Sequence, residues 1–308
     1  MRYSFIIPVY NRPEEVDELL NSLTRQTNKN FEVLVVEDGS SVPCKEVVDN
    51  YADRLDICYY FKSNSGPGQT RNYGAERGHG EYLIILDSDC ILPEGYLAAV
   101  ESELQQQKAD AFGGPDRAHD SFTNIQKAIN YAMTSFFTTG GIRGGKKKMD
   151  KFYPRSFNMG VRAEVYKALG GFSKMRFGED IDFSIRIFQG GYACRLFPEA
   201  WVWHKRRTDL KKFFKQVHNS GIARINLYKK YPKSLKVVHL LPALFTIGIV
   251  FLLLYSLVCS WSLSLLLLFA LIICVDSTLR NKSFKIGLLS ILASFIQLIG
   301  YGTCPLYT

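Results

Sequence analysis

The chain has 308 residues, 47% of them hydrophobic, which is enough for one large domain with additional segments. Its formal net charge of +9 comes from one belt: residues 205–236 hold 11 basic residues and a single acid, whereas residues 1–204 are slightly acidic. A basic belt before an apolar segment is typical of an anionic membrane surface, and no nucleic-acid motif accompanies it, so nucleic-acid binding is not expected. The seven cysteines are dispersed without a C-x-x-C pair, which indicates reduced thiols and no zinc site.

Strand and helix patterns alternate along the first 115 residues or so. The strand candidates are Ser4–Val9, Glu32–Val36, Ile57–Phe61 and Leu83–Leu86. The helix candidates are Pro13–Arg25, Lys45–Tyr51, Gly68–Arg77 and Pro93–Gln107. This alternation predicts an α/β fold with a mainly parallel sheet, right-handed crossovers and helices on both faces.

Polar clusters follow three of these strands, at Pro8–Arg12, Glu37–Ser40 and Asp87–Asp89. Ligands of such sheets bind at the carboxyl ends of the strands, so the three clusters predict one site. Asp87 and Asp89 lie two positions apart and can point to the same side of an extended chain. Their carboxylates suit Mg²⁺ or Mn²⁺ bound together with substrate phosphates, although an acidic turn after a strand is the alternative.

Residues 116–152 are less regular. The glycine- and lysine-rich stretch 140–148 is interpreted as a mobile loop near the site, although a solvated surface loop is the preferred explanation for its lysines. A short strand at 157–161 and a helix at 163–169 follow, and Gly170 and Gly171 end that helix.

Apolar residues recur at helical spacing between Asp209 and Tyr228, with lysines and arginines elsewhere around the helix. Two interpretations remain open for this helix, namely a position in the membrane interface and burial against the preceding domain.

Residues 237–275 contain no Asp, Glu, Lys or Arg. As one helix they would extend about 58 Å, roughly twice a hydrocarbon core, so they predict a hairpin of two spans that turns near residues 259–262. A third span is predicted from Ile286 to about Cys304, and the short second span is the weakest candidate of the three. Basic residues flank these spans on one side, which predicts a cytoplasmic N-terminal domain at the inner or plasma membrane. A buried helical core is the alternative.

Five motifs make residues 1–232 resemble the family-2 glycosyltransferases of the GT-A fold. They are PVYNR at 8–12, EDGS at 37–40, NSGPGQTRNYG at 64–74, DSD at 87–89 and GED at 178–180. The resemblance implies a Rossmann-like GT-A catalytic domain at 1–204. The remaining chain is then a basic amphipathic interfacial segment at 205–236 and a membrane region with three helices at 237–308.

The resemblance also implies a nucleotide-sugar site at the strand ends. Asp38 would accept a hydrogen bond from a ring N–H of the base, since a carboxylate is an acceptor only, with an Asx turn as the alternative. Arg71 would approach the nucleotide as a fixed cation, and Asn64 would contact it or cap a helix. The implied nucleotide-sugar-binding residues are Pro8, Val9, Tyr10, Asn11, Arg12, Asp38, Asn64, Gly66, Arg71, Asp87 and Ser88.

Metal binding and catalysis are implied for the remaining acids. By the resemblance, Asp89 ligates Mg²⁺ or Mn²⁺, Asp87 contacts the ribose or the metal, and His204 is a third ligand or a packed core residue. Asp180 is the implied catalytic base, which takes the proton of an acceptor hydroxyl in an inverting displacement. Glu179 would position the acceptor or hold the loop. A helix N-terminus, which favours carboxylates, also explains both acids.

Processive synthases carry Q-x-x-R-W after the base, and this chain has no such string. We therefore expect transfer of a single sugar, from a donor that is more often UDP-linked than GDP- or dTDP-linked, to a lipid-linked or saccharide acceptor in surface glycan synthesis. The alternatives are a polyprenyl-phosphate sugar synthase and a non-catalytic nucleotide-sugar-binding membrane protein.

Overall fold

The computed structural model describes residues 2–119, 121–140 and 152–304, so the predicted loop at 141–148 lies outside the described residues. The chain divides into two compact units. The first comprises described residues 2–119 and 152–204, and the second comprises 121–140 and 205–304. One boundary of this division falls after His204, and the assignment of a function to each predicted domain stays a prediction. The segment 121–140 was expected in the first domain but belongs to the second unit, and 205–236 is no unit of its own.

Ten strands lie among the described residues of the first unit. They are β1 (Tyr3–Val9), β2 (Phe31–Asp38), β3 (Ile57–Lys62), β4 (Tyr82–Leu86), β5 (Cys90–Ile91), β6 (Ala111–Gly113), β7 (Asp116–Arg117), β8 (Asn158–Arg162), β9 (Cys194–Leu196) and β10 (Val202–His204). Seven form one sheet in the order β3-β2-β1-β4-β8-β6-β9, and the others form a small sheet in the order β5-β10-β7. In the large sheet β8 alone runs antiparallel to its two neighbours, so the predicted mainly parallel α/β fold is confirmed.

The described residues also form twelve α-helices. They are α1 (Pro13–Thr24), α2 (Lys45–Asp49), α3 (Pro67–Ala75), α4 (Tyr96–Gln106), α5 (Asn124–Thr134), α6 (Phe136–Thr139), α7 (Ala163–Ala168), α8 (Glu179–Gln189), α9 (Leu210–Lys230), α10 (Leu241–Tyr255), α11 (Leu263–Asn281) and α12 (Phe284–Gly302). Each helix predicted in the first 115 residues is present, with ends that differ from the prediction by a few residues.

The central strands are buried on both faces, and this burial explains their unbroken apolar runs. Phe5 and Ile7 of β1 lie in one hydrophobic cluster, whereas Ile6, which points the opposite way, lies in a second cluster on the other face. The two clusters hold the sheet rigid between helices. Polar residues are therefore left for the strand ends, where the loops after β1, β2 and β4 share one edge.

In the second unit, the apolar stripe of α9 packs within the unit itself. Phe213 and Val217 are buried in one cluster with Ala128 of α5 and Ala293 of α12. Phe214, predicted in the same stripe, is exposed, because the position of the neighbouring helices decides which part of the stripe is covered.

Three apolar helices follow α9, and two of them are long and apolar enough to cross a membrane, at Ser260–Asn281 and Phe284–Gly302. The helix α10 has 15 residues, about 22 Å, and is shorter than a hydrocarbon core of about 30 Å. The turn before α11 lies where it was predicted. The second span, the weakest candidate by sequence, corresponds to α11, which is longer than predicted. It continues to Asn281 past Asp276, and Asp276 pairs with Arg280 one turn later. The crossing of a membrane by these helices stays a prediction.

Candidate active site

The loops after β1 and β2 are joined to each other by hydrogen bonds. Asn11 has a left-handed backbone with φ of 53°, a conformation that asparagine tolerates better than most residues. Its backbone N–H donates to Ser40 Oγ at 2.7 Å, and its side-chain oxygen accepts from the Val42 N–H at 2.9 Å. The predicted Pro8–Arg12 and Glu37–Ser40 clusters therefore form one continuous edge. On this edge Tyr10 is 54% exposed, and Val9 is buried.

Gly39 lets the second loop approach the third. Its φ is +71°, and a Cβ atom at this position would lie 2.8 Å from the backbone nitrogen of Asn64. The Asn64 side-chain amide donates to the Asp38 carbonyl at 2.8 Å. Asn64 does not cap α3, because the N-cap position belongs to Gly66, so the capping alternative is wrong.

Asp38 is buried at the base of this loop. Its carboxylate accepts from the N–H groups of Ser65 and Gly66, both at 2.9 Å, and from the Lys62 ammonium. Burial alone would raise the pKa of Asp38, but the hydrogen bonds from Lys62 and Ser65 outweigh it, so the pKa lies below its ordinary value. Asp38 therefore braces the third loop as an ionised group. Recognition of a base by Asp38 stays a prediction.

Arg71 connects the DSD and GED motifs. The side chain lies on α3 and is 5% exposed. Its Nη2 donates to Asp87 Oδ1 at 2.8 Å, and its Nη1 donates to Glu179 Oε1 at 2.9 Å. Burial would lower the pKa of Arg71, but Asp87 and Glu179 keep it raised. Gly68 lies against Glu179, since an added Cβ would be 3.2 Å from its Cγ. The DSD and GED motifs, which begin 91 positions apart in sequence, thus meet through one guanidinium.

Asp180 is the second residue of α8, a helix whose N-cap is Gly178 with a φ of +84°. It is 7% exposed, and it accepts from the Ile181 N–H at 2.8 Å and from Arg155 Nε at 2.6 Å. Burial alone would raise the pKa of Asp180, but Arg155 lowers it below the ordinary value. Burial raises the pKa of the neighbouring Glu179 by more than Arg71 lowers it. The two adjacent acids are therefore shifted in opposite directions.

Sequence reasoning missed Arg155. It follows an irregular segment without a recognisable spacing, so no sequence signal identifies it. The structure fixes this segment on α8: Ser184 Oγ donates to the Pro154 carbonyl at 2.8 Å, and the rings of Tyr153 and Phe188 pack edge to face at 5.0 Å. Arg155 is consequently held beside Asp180 by the contacts that the two preceding residues make with α8.

Asp89 is brought together with His204 by strand pairing. Strands β5 and β10 are antiparallel, and His204 lies opposite Cys90. Asp89 Oδ1 is 3.2 Å from His204 Nε2, and its other oxygen accepts from the Arg12 guanidinium. The ring of Phe157 stacks on the imidazole at 4.8 Å and fixes its plane. His204 is thus both packed and adjacent to the predicted metal ligand.

These residues fit a divalent metal. Among the described residues, Asp89, Cys90 and His204 offer ligand atoms within 4.8 Å of one another. A carboxylate oxygen and an imidazole nitrogen suit Mn²⁺ or Mg²⁺, whereas burial raises the pKa of the Cys90 thiol well above its ordinary value. Asp89 and His204 are therefore the metal-binding candidates. Asp87, the other predicted ligand, is held by Arg71 and lies outside this group.

The sheet order is that of a GT-A fold, and solved structures share this fold. The mannosyltransferase PcManGT from Pyrobaculum calidifontis, in complex with GDP-Man and Mn²⁺, has the same fold with a TM-score of 0.66 and 18% identity, over 96% of this chain and 87% of that one. The Staphylococcus aureus TarS 1–349 structure with UDP-GlcNAc gives a TM-score of 0.52 and 20% identity, over 73% of this chain and 67% of that one.

The family model "Glycosyl transferase family 2" matches residues 4–170, and the chain belongs to this family. The predicted family and enzyme class are confirmed. An uncharacterised glycosyltransferase of Rickettsia felis is 32% identical over 137 residues, which make up 44% of this chain. The matched region spans only 22% of that relative's length.

Proposed function

We propose that this protein transfers a single sugar, with inversion, from a nucleotide-sugar donor to an acceptor hydroxyl, with the help of a divalent metal. The observation that carries the proposal is the bridge of Arg71 between Asp87 and Glu179, which brings the donor-side and acceptor-side motifs together. A nucleotide-sugar donor is supported by the neighbours, which were solved with UDP-GlcNAc and with GDP-Man. We favour UDP as the nucleotide of the donor, in line with the sequence resemblance.

The edge formed by the first three loops would bind the nucleotide. The exposed ring of Tyr10 and the backbone of Pro8 and Val9 offer a surface for the base, and Asp38 and Asn64 keep the third loop in place beside it. The proposed donor site is completed by six further residues, namely Asn11, Arg12, Gly66, Arg71, Asp87 and Ser88. Asp89 and His204 would hold the metal, which neutralises the charge of the departing diphosphate.

Asp180 is proposed to accept the proton of the acceptor hydroxyl. The acceptor oxygen forms its bond to the anomeric carbon while the bond from that carbon to the diphosphate oxygen breaks. A base must be ionised before the reaction, and the ion pair with Arg155 keeps Asp180 in that state at neutral pH. Arg155 is a positioning residue in this scheme. Glu179, held by Arg71, would position the acceptor or the loop.

The acceptor is proposed to be lipid-linked and the protein to be anchored in the inner or plasma membrane. The basic belt at 205–236, the two long apolar helices and the short α10 support this proposal. The basic residues on one side of the apolar helices favour a cytoplasmic catalytic domain. Synthesis of a surface glycan is the process to which such an acceptor would belong.

A polyprenyl-phosphate sugar synthase is the second candidate. Arg155 favours it, because a guanidinium that is 38% exposed beside the proposed base also suits an acceptor phosphate, which needs little base catalysis. The variant Asp180→Asn distinguishes the two reactions. It should abolish transfer to a hydroxyl, and it should spare transfer to a phosphate.

The first experiment is a screen of nucleotide sugars for thermal stabilisation of the purified chain, with and without Mn²⁺. The donor found is then used to measure nucleotide release in the wild type, in Asp180→Asn and in Asp89→Ala. Stabilisation by one donor, with Mn²⁺-dependent release that is lost in Asp89→Ala, supports the enzyme. A protein that binds a donor but neither hydrolyses nor transfers it would be a non-catalytic binding protein.

A further inference from the structure

Two adjacent aromatic side chains project from the second unit. Phe136 and Phe137, at the start of α6, are 67% and 42% exposed, and their rings contact each other edge to face. Large exposed apolar groups in contact are more informative than single ones, because they mark a surface that a partner covers.

The structure holds this pair in place. Thr138 is buried, and its hydroxyl donates to the Ala132 carbonyl of α5 at 2.6 Å. The fully buried Ser135 accepts from the Phe137 N–H through its hydroxyl. On the preceding turns of α5, Ala128, Ile129 and Ala132 lie in the core that α5 shares with α9 and α12. The Phe136–Phe137 pair is therefore presented outward by a packed support.

The pair adjoins the beginning of the apolar helices. Gly140, which ends α6, lies against the side chain of Val238, since an added Cβ would be 2.8 Å from Val238 Cγ2 and 3.9 Å from Leu241 Cδ1. Leu241 begins α10, and it is exposed like Val237 and Leu244 around it. The helix that carries the Phe136–Phe137 pair thus ends against the residues that lead into α10.

The surroundings indicate a lipid surface as the occupant. Residues 237–275 carry no Asp, Glu, Lys or Arg and expose large apolar side chains over the whole of α10 and most of α11. Lys233 and Lys236 are exposed immediately before this segment, where they suit anionic lipid headgroups. Aromatic side chains beside such lysines are typical of the boundary between headgroups and acyl chains.

We propose that Phe136 and Phe137 insert into the bilayer at the level where α10 enters it. The segment 121–140 lies in sequence between β7 and β8 of the catalytic unit, so this insertion would give the enzyme a second attachment to the membrane, separate from the C-terminal helices. The inference rests on the proposed membrane region, because without a bilayer around α10 the pair would face water.

Photo-crosslinking in the full-length chain tests the inference. The photoreactive residue p-benzoyl-phenylalanine replaces Phe136 or Phe137, each in a separate variant, and the protein is reconstituted in vesicles of phosphatidylethanolamine and phosphatidylglycerol. After irradiation, lipid adducts are quantified by mass spectrometry. Phe61 on β3 is a matched aromatic control in the first unit, with 56% exposure, and Trp261 between α10 and α11, with 82% exposure, is the reference for a lipid-facing position.

We expect lipid adducts at 136 and 137 at a yield similar to that of Trp261 and about tenfold above that of Phe61. Adducts at Trp261 without adducts at 136 and 137 would overturn this inference and leave the membrane anchor standing. Crosslinked dimers through 136 or 137 would also overturn it, because a second copy would then cover the pair. A chain without lipid adducts at any position would refute the membrane proposal itself.

Discussion

Replacing Arg71 by methionine should destabilise the protein strongly. Arg71 is 5% exposed and donates to Asp87 at 2.8 Å and to Glu179 at 2.9 Å. Removal of one partner of a buried ion pair costs about 3–5 kcal/mol, because the remaining charge stays buried without compensation. Asp87 is 31% exposed and can recover water, whereas Glu179 is 10% exposed and cannot. We therefore expect the lower end of that range, about 3 kcal/mol.

Thermal unfolding of the purified chain in detergent micelles measures this loss. A destabilisation of that size lowers Tm by roughly 6–12 °C for a unit of this size. Arg71→Lys keeps the charge but loses the planar fork that reaches two carboxylates. Its Tm should therefore lie between that of the wild type and that of Arg71→Met. The variant Glu179→Gln removes the charge that Arg71 compensates. The double variant Arg71→Met/Glu179→Gln should consequently lose less stability than the sum of the single losses.

The pH dependence of the stability loss in Arg71→Met provides a second check. The pKa of Glu179 is raised in the folded protein, mainly by burial, and Arg71 counteracts the rise. In Arg71→Met the pKa should rise further. A carboxyl whose pKa is higher in the folded than in the unfolded state destabilises the fold as the pH rises above the unfolded value. The loss of stability of Arg71→Met relative to the wild type should therefore be small below about pH 4.3 and grow above it.

A deficit below about 1 kcal/mol at neutral pH would refute this reasoning, because it would show that the bridge carries no buried charge. A stability loss in Arg71→Met that does not become smaller when the pH is lowered would also refute this reasoning. An unchanged Tm together with weaker nucleotide binding would instead favour the original expectation that Arg71 contacts the donor.

Two further variants test other parts of the site. Arg155→Gln should move the acidic limb of the pH–rate profile to higher pH, because burial then dominates and raises the pKa of Asp180. The rate of nucleotide release, measured as a function of pH, checks this. An acidic limb at the same pH as in the wild type would contradict the positioning role of Arg155. Gly39→Ala should cost about 1–3 kcal/mol in chemical unfolding, because alanine is strained at a φ of +71° and its Cβ would clash with the third loop. Gly95→Ala, where a Cβ would meet nothing within 4 Å, is the control and should cost far less.

The parallel part of the fold could be predicted because burial on both faces leaves a clear trace in the sequence. The runs that form β1 to β4 are continuous, apolar and bounded by polar loops, and their observed ends differ from the predicted ones by one or two residues. The strands β6 and β9 have three residues each and were not predicted, since such short segments depend on their neighbours for stability.

The assignment of 121–140 to the second unit could not be predicted either. It depends on contacts of Ala128 and Ile129 with residues more than 80 positions away, and local periodicity does not report such contacts. For the same reason the exposed side of α9 was misjudged at Phe214. Spacing identifies an apolar stripe, but the neighbouring helices determine how much of it is buried.

The acids of the site were predictable, but two of the four cations that pair with them were not. Strand ends and the resemblance to family-2 glycosyltransferases identified every acid, because these motifs are compact in sequence. Lys62 and Arg155 lie outside the motifs and reach their partners only through tertiary structure. The observed pairs are Asp38 with Lys62, Asp87 with Arg71, Asp89 with Arg12, and Asp180 with Arg155.

The pairing of Arg12 with Asp89 predicts that metal and nucleotide bind cooperatively. A metal held by Asp89 and His204 competes with the Arg12 guanidinium for the carboxylate, and a diphosphate offers Arg12 another anion in exchange. UDP should therefore raise the affinity for Mn²⁺, and by linkage Mn²⁺ should raise the affinity for UDP by the same factor, about 5–150-fold for typical couplings.

Titration of Mn²⁺ by electron paramagnetic resonance, with and without UDP, measures one side of this coupling, and calorimetric titration of UDP measures the other. Arg12→Gln should bind Mn²⁺ more tightly than the wild type in the absence of nucleotide, because the competing cation is gone, and the coupling should shrink. Equal Mn²⁺ affinities in the wild type and in Arg12→Gln would show that the pair does not oppose metal binding. The acidic edge would then be a preformed cation site, in which Arg12 supports the fold and takes no part in the exchange.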